Sequence, residues 1–488
     1  MRSIQASLTS RAWRFLLLEA LLVVWGLVLA CVPAYGQSGD QDWSEPVLLF
    51  ESTGRANTTR MLADRTGVVH VFLENNPNPA GALNFAMDDT MVFYTRREAG
   101  AWSRPVDILL YPDAYLPFGV VVDDKGQIHV FSQAPACLSY VSAVAQTADS
   151  ARGWLKHKCM DEMWIDVPAA ALDSLGNIYV AYAVPPNDWQ IALNRSSDGG
   201  VSWSGRSEVA VAARTDVGVA FPALATDSKG RLHAVWTEIS LPTGYPMLSL
   251  LYAYSTDKGQ SWSAPIELAE GHQGDPNIAA FEDAVHVVWN GDASLRGRYY
   301  RSSEDGGLTW SPVQQLLPTG GLQRPPAIVV DSTGAVHILV ASDSAAYYFV
   351  KDRSGWSKPV VLADFSQVGG LRGGEVTSPQ LTISKGNLLF ALYSKDANSV
   401  FVRSTKLDVP GQAPQPWSTI TPSATQVIMQ PTRHPTASPT ALVVGDFVGS
   451  PSPPSRDSST STLLIGISSS IFVVVAVVTI VLLQRRKQ

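Results

Sequence analysis

Ser196-Ser197-Asp198-Gly199-Gly200-Val201-Ser202-Trp203 decides the fold, because the chain repeats it. Ser255-Thr256-Asp257-Lys258-Gly259-Gln260-Ser261-Trp262 and Ser303-Glu304-Asp305-Gly306-Gly307-Leu308-Thr309-Trp310 keep the same pattern, S-x-D-x-G-x-x-W. Each part has a reason in a hairpin turn. Ser and Asp oxygens accept bonds from the turn's N–H groups. The glycine takes positive φ without steric cost. The tryptophan opens the next strand with a large apolar face.

A second element recurs ahead of each of these positions: an apolar strand, an Asp-x-x-Gly turn, then a strand that often carries His. The turns fall at Gly67, Gly126, Gly176, Gly230, Asp283-Ala284, Gly334 and Gly386, with gaps of 50 to 59 residues. Strand-turn-strand content at that period predicts a β-propeller, and no helical period runs through the region. The sixth unit shows the four strands: Ala327 to Asp331, Val336 to Val340, Tyr347 to Lys351, and one opened by Trp356 after a shortened turn. The first unit has a degenerate turn, Arg97 to Trp102, and the second replaces it with Gln146 to Gly153. Trp43-Ser44-Glu45-Pro46-Val47 reads as a fourth strand with no first three, whereas the last unit, Gln380 to Thr405, lacks a fourth. Joining the two closes a ring and removes an open sheet edge. The expectation is an all-β, seven-bladed propeller over residues 42–407.

The eight-residue pattern resembles the Asp box of the bacterial neuraminidase repeat, found in sialidases and in many β-propellers that are not sialidases. The resemblance implies a sialidase-like superfamily fold, for which six blades is the alternative count. It implies that the boxes (Ser196, Asp198, Gly200, Trp203; Ser255, Asp257, Gly259, Trp262; Ser303, Asp305, Gly307, Trp310) are structural and remote from any active site. Sialidase chemistry would need three arginines to clamp a sugar carboxylate, a Tyr nucleophile with a Glu partner, and an Asp acid/base. Arg forks suit a carboxylate, and a Tyr nucleophile is an exception among glycosidases. The family's first-blade Arg-Ile-Pro motif is absent; Arg55-Ala56-Asn57, Arg60-Met61-Leu62 and Arg324-Pro325-Pro326 do not match it. No catalytic residue is carried over.

With both turn types at one end of the blades, a ligand site belongs at the other end, on the connections between strands two and three and between blades. Arg324, Arg372, Asp275 and Trp164 lie on connections between blades and are the candidate ligand contacts. Tyr115, Trp189 and Tyr245 share that face, either as stacking platforms for sugar or peptide or as plugs between blades. The reading is a propeller that binds a glycan or protein ligand; the alternatives are an exo-α-sialidase-like glycoside hydrolase and a structural envelope component. His70, His129, His233, His286 and His337 recur at one repeat position. They sit in different blades, and packed sheets lie about 10 Å apart, so they predict an interblade niche, shared by Tyr179, rather than zinc at about 2 Å. Asp88-Asp89 and Asp123-Asp124 lack the spacing of a calcium loop. No metal or cofactor is expected.

The chain has 488 residues, 14 Trp, 37 Gly, a net charge of -7 and no basic runs, which argues against nucleic-acid binding. Arg2, Arg11 and Arg14 precede an apolar run from Ala20 to Ala30, and small residues end at Gly36, so residues 1–36 read as a secretory signal. Cys31 also permits a lipoprotein reading. Residues 408–462 are Pro, Ser and Thr rich, the composition of an extended stalk. Residues 463–483 carry no charge over 21 positions and are long enough to span about 30 Å of hydrocarbon. The basic tail, 484–488, marks the cytoplasmic side. These features predict a single-pass cell-membrane protein with its N-terminal domain outside. Export makes a Cys137–Cys159 disulfide plausible, placed across strands three and four of the second blade, within cross-strand reach. Asn57-Thr58-Thr59 and Asn194-Arg195-Ser196 fit the N-glycosylation pattern.

Overall fold

The structure, a computed structural model, describes residues 42–411 apart from 53–58, 76–89, 112–117, 135–136, 156, 163–165, 185–188, 244–245, 292–295, 319–323, 343, 366–378 and 395–397, together with Tyr35–Gly36. The stalk, the apolar segment 463–483 and the basic tail lie outside the described residues. Among the described residues no helix is long and apolar enough to cross a membrane.

Seven antiparallel sheets follow one another in chain order, one per repeat. Blade 3 shows the plan: Asp166–Leu172 innermost, then Ile178–Val184, Gln190–Ser196 and Ser207–Val211. Blade 7 is composite. Val47–Glu51 pairs with Ser399–Lys406 as its fourth strand, so the N-terminal segment completes the C-terminal blade as expected. The seven-bladed count stands and the six-bladed alternative falls. Tyr35–Gly36 pairs in parallel with Gly355–Ser357 of blade 6. Second strands are buried on both faces because neighbouring blades cover both; Val69–Asn75, Ile178–Val184 and Val336–Ala341 are buried throughout.

Each Asp-x-x-Gly turn is closed by its own carboxylate. Asp64, Asp123, Asp173, Asp227 and Asp331 accept the N–H groups two and four residues on. The second carboxylate oxygen faces Nε2 of the recurrent histidine, at 2.9 Å for His70, 3.3 Å for His233 and His337, and a longer 3.5 Å for His129. Nδ1 of the same ring meets a strand-three tyrosine hydroxyl at 2.5–2.9 Å, on Tyr94, Tyr140, Tyr252, Tyr300 and Tyr348. Where both contacts form, Nε2 donates to the carboxylate and Nδ1 shares a hydrogen bond with the tyrosine hydroxyl. The histidines therefore link turn to strand within each blade. Blade 3 condenses the device: the Tyr179 hydroxyl reaches Asp173 directly, and Leu193 replaces the strand-three tyrosine.

The three S-x-D-x-G-x-x-W turns are bonded alike. Ser303 Oγ donates to Asp305 (2.7 Å) and accepts from Gly307 N (2.8 Å), and Asp305 accepts Thr309 N (2.8 Å). Both carboxylate and hydroxyl are thus spent inside the turn, which lets it seat on the preceding blade. A Cβ on Gly200 would lie 2.2 Å from Tyr140 Oη, one on Gly259 2.3 Å from Leu193 Cδ2, and one on Gly307 1.8 Å from Tyr252 Oη. These glycines are required by close approach as well as by positive φ. The tryptophan follows the same rule but stands four residues ahead of the outer strand instead of opening it: Trp203 precedes Ser207–Val211, Trp262 precedes Ile266–Glu270, Trp310 precedes Gln314–Leu317. Trp310 meets Tyr252 edge-on at 4.8 Å, and Trp356, Trp203 and Trp43 meet Tyr300, Tyr140 and Tyr348 at 4.9, 5.3 and 5.1 Å.

Blade 2 reaches the same contact by another route. Two short 3-10 turns, Ala145–Thr147 and Ala151–Gly153, replace the box and deliver Trp154 against Tyr94 and Phe72 of blade 1. Cys137 and Cys159 are disulfide-bonded with Cα atoms 5.7 Å apart, joining strands three and four of this blade. They are not directly opposite: Cys159 pairs with Ser139, and the bond runs diagonally across a bulge.

Blade 5 breaks the pattern at its first turn. Phe281 pairs with Ala284, a hairpin too short to place a carboxylate under His286. Asp283 turns outward to Lys229 and Arg231 of blade 4 instead. Burial, reinforced by Lys351, lowers the His286 imidazole to about 4.

Two predictions follow from this packing. Gly307 and Gly230 both have positive φ, but nothing lies within 4 Å of a Cβ on Gly230. Gly307→Ala should therefore destabilise the protein by about 1–3 kcal/mol more than Gly230→Ala, the usual cost of overpacking; equal denaturation midpoints would remove the close-approach argument. The second concerns pH. His286 binds its proton more weakly folded than unfolded, so stability falls as pH drops from the ordinary histidine range towards 4. His286→Phe, which places there the residue blade 7 carries as Phe390, should flatten thermal stability across that window. An unchanged slope would assign it elsewhere.

Candidate functional site

The antiparallel order puts both turn families on one face of the ring and the remaining connections on the other. On that other face the innermost strands of three successive blades carry a bulge at an X-Pro pair: Val167-Pro168, Phe221-Pro222 and Asp275-Pro276. Phe221 and Asp275 take φ of 52° and 50°, a conformation that costs a non-glycine residue and that proline disfavours in its predecessor.

Asp275 is the chemically distinctive member. It is buried, and its side chain is hydrogen-bonded to Asn290 at the end of the next strand. Burial raises its carboxyl above the ordinary range; the Asn290 bond and the charges of Arg324 and Arg298 oppose that shift without cancelling it. Asn290 is fully buried, donates to the Arg324 carbonyl at 2.8 Å, and has an Oδ1 without a hydrogen-bond partner among the described residues. Arg298, 1% exposed, donates to the carbonyls of Gly297 (3.0 Å) and Ala341 (2.8 Å). Asn277 Nδ2 donates to Pro326 O at 3.0 Å, so blade 5 holds the entry of blade 6 at two points. The result is a carboxyl, an amide and two guanidinium groups gathered at the junction of blades 5 and 6.

Of the four contacts expected from sequence, Asp275 and Arg324 come together here, whereas Trp164 and Arg372 lie outside the described residues, as do Tyr115 and Tyr245. Trp189 is a plug: a Cβ on Gly218 of blade 4 would lie 2.6 Å from its ring. Asn290 was missed because it belongs to a strand, yet it carries a sequence signal. The position four beyond the recurrent histidine is polar in blades 1, 2, 4 and 5, as Glu74, Gln133, Thr237 and Asn290. In blade 1, buried Glu74 opposes the shift that burial imposes on Arg60, whose guanidinium is lowered to about 10. Tyr94, Tyr140, Tyr252, Tyr300 and Tyr348 are committed to histidines.

Neither a protein-family model nor a curated protein matches the sequence. Solved structures match over most of their length. An ulvan lyase of polysaccharide lyase family PL25, bound to -[GlcA(1-4)Rha3S]-, is 10% identical, with 73% of this chain and 95% of the lyase aligned at a TM-score of 0.51. A protein of unknown function from Dyadobacter fermentans DSM 18053 is 12% identical over 75% and 99% of the two chains, at 0.49. A Hadza microbial sialidase is 14% identical over 74% and 68%, at 0.43. The likeness is one of fold.

The raised carboxyl gives a prediction. A group that binds its proton more tightly folded than unfolded adds stability below its unfolded value and loses it as pH rises through the folded one. Asp275→Asn keeps the shape, and Asn tolerates this backbone conformation. The variant should melt at or above the wild-type temperature at pH 7 and lack the wild-type decline above the ordinary carboxylate range. A lower melting temperature would mean that the ionised carboxylate is the stabilising form.

Proposed function

We propose that this chain is a membrane-anchored extracellular propeller that binds an acidic glycan on the face opposite its turns, at the junction of blades 5 and 6. The observation that carries the reading is Asp275, a buried carboxyl in a costly backbone conformation beside Arg298, Arg324 and Asn290. Guanidinium groups suit a sugar carboxylate, and a carboxyl with a buried amide can hold sugar hydroxyls. The S-x-D-x-G-x-x-W turns are read as Asp boxes of the bacterial neuraminidase repeat, which act in the fold and leave this face to the ligand. Display at the cell surface is supported by the sequence: a signal at 1–36, the propeller over 42–407, a stalk over 408–462, an apolar span at 463–483 and the basic tail 484–488. The signal reading and the Tyr35–Gly36 pairing concern the same residues, so processing after Gly36 would remove that pair.

One observation favours a second reading, a glycoside hydrolase. A carboxyl whose hold on its proton is strengthened by burial suits a general acid. Against it, the Arg-Ile-Pro motif is missing and five strand-three tyrosines are engaged by histidine. Full-length protein in detergent micelles should bind acidic glycans on an array, saturably, and Arg324→Ala should weaken that binding at least tenfold. It should release no sialic acid from an aryl sialoside over a broad pH range. Turnover that Asp275→Asn abolishes would promote the hydrolase; absence of binding to any glycan would favour a protein ligand.

A further inference from the structure

The seam between blades 7 and 1, on the turn face, differs from the box-filled seams. At the junctions of blades 2–3, 3–4 and 4–5 the eight-residue box fills the space above the preceding blade, with its first serine opposite the residue before the histidine position: Ser196 opposite Ile178, Ser255 opposite Leu232, Ser303 opposite Val285. In blade 1 the pairing continues one residue further, Glu98 to Ala101, so that strands three and four join through Ala99 and Gly100 alone, at φ of 50° and 87°. The box is gone, and Arg97 occupies the place of its serine, opposite Val69.

Blade 7 is altered to match. Ser384 stands where the turn aspartate would be and Phe390 where the histidine would be, so this seam lacks the carboxylate found in blades 1, 2, 3, 4 and 6. Ser384 Oγ instead donates to the Gly67 carbonyl at 2.7 Å. A cavity of about 350 Å³ remains, lined by Arg97, Lys385, Ser384, Thr66, Gly67 and Glu98 among others. The Arg97 guanidinium lies over the Phe390 ring at 5.1 Å, which fixes its position above an apolar floor. The acidic lining group, Glu98, is exposed and paired outward to Arg96 at 3.4 Å.

We propose that this seam binds an oxyanion, a sulfate or carboxylate group, between Arg97 and Lys385. A guanidinium fork gives the directed bonds and an ammonium the point charge, on a floor from which the carboxylate of the repeat has been removed. The site is on the opposite face from Asp275 and Arg324 and does not depend on the reading given to them.

The test uses full-length protein in detergent micelles, titrated with sodium sulfate against sodium chloride at matched ionic strength and followed by melting temperature and by calorimetry. Wild type should show a saturable rise in melting temperature with sulfate. Arg97→Gln should weaken sulfate at least tenfold, Lys385→Gln should weaken it less, and Arg97→Lys should retain part of it. Arg214→Gln, a charge loss on the opposite face at a residue outside the glycan site, should leave sulfate binding unchanged. Methyl glucuronide competing with sulfate, where methyl glucoside does not, would assign the anion to an acidic sugar; sulfate binding without that competition would assign it to a free inorganic anion. A sulfate response equal to that of chloride, or one retained in folded Arg97→Gln and Lys385→Gln proteins, would overturn the proposal.

Discussion

The ring depends on one contact, repeated: a tryptophan ahead of each outer strand set against a residue of the preceding blade. Five of these are edge-on to tyrosine and one, Trp102, to Phe390; Trp262 packs into the cluster that holds Leu193. An edge-to-face pair adds about 0.5–1.5 kcal/mol beyond area burial, modest singly but present at six of the seven seams. The tyrosine that receives the tryptophan is also the partner of the histidine, and in blades 1, 2, 4 and 6 the histidine stands over the turn carboxylate. One chain of contacts therefore runs from a turn, through its blade, into the next. Trp43 makes the contact at the seam between blades 6 and 7, so the N-terminal strand closes that seam as well as the sheet of blade 7.

Replacements keep this contact while changing its parts. Tyr179 with Leu193 does the work of a His–Tyr pair, because moving the hydroxyl one strand inward still satisfies Asp173 and leaves an apolar surface for Trp262. Trp154 arrives through two 3-10 turns, and the disulfide ties the two strands that the missing box would have joined. At the seam of blades 7 and 1, Phe390 still receives Trp102 and Arg97, but neither box nor carboxylate fills the space above. Tolerance of these changes places the constraint in the tryptophan contact, with the polar network as its usual support.

The repeat period, the composite blade and the bonding inside the S-x-D-x-G-x-x-W turns were legible in the sequence because each is local: strand alternation, an orphan strand and turn chemistry. The niche occupied by the histidines was legible, but their partners were not, since Asp64 and Tyr94 reach His70 from opposite directions along the chain. The diagonal of the disulfide depends on a bulge that spacing does not reveal. Asp275 and Arg324 were reached by counting connections, whereas Asn290 and Arg298 complete the cluster only once the ends of strands are brought together. The X-Pro pair of blades 3, 4 and 5 and the polar position four beyond the histidine in blades 1, 2, 4 and 5 are periodic, and they identify the mouth of the ring from sequence once the blades are aligned.

What separates Asp275 from the architecture is Phe221. Both occupy the residue before proline in the bulge of an innermost strand, at nearly the same positive φ, so the strained backbone belongs to the repeat and is no sign of function by itself. The side chain is another matter. In blade 4 the position is met by an aromatic ring, and in blade 3 by Val167; neither needs a buried polar partner. Only an acid there requires Asn290 to be buried with it and two guanidinium groups to be held nearby, at a desolvation cost that an apolar residue would avoid. Where local choices otherwise agree with the fold, a costly departure that the neighbouring repeats do without is expected at a functional position. The carboxyl at residue 275 is such a departure, and the cluster around it is, among the described residues, a part of the mouth that the propeller itself does not explain.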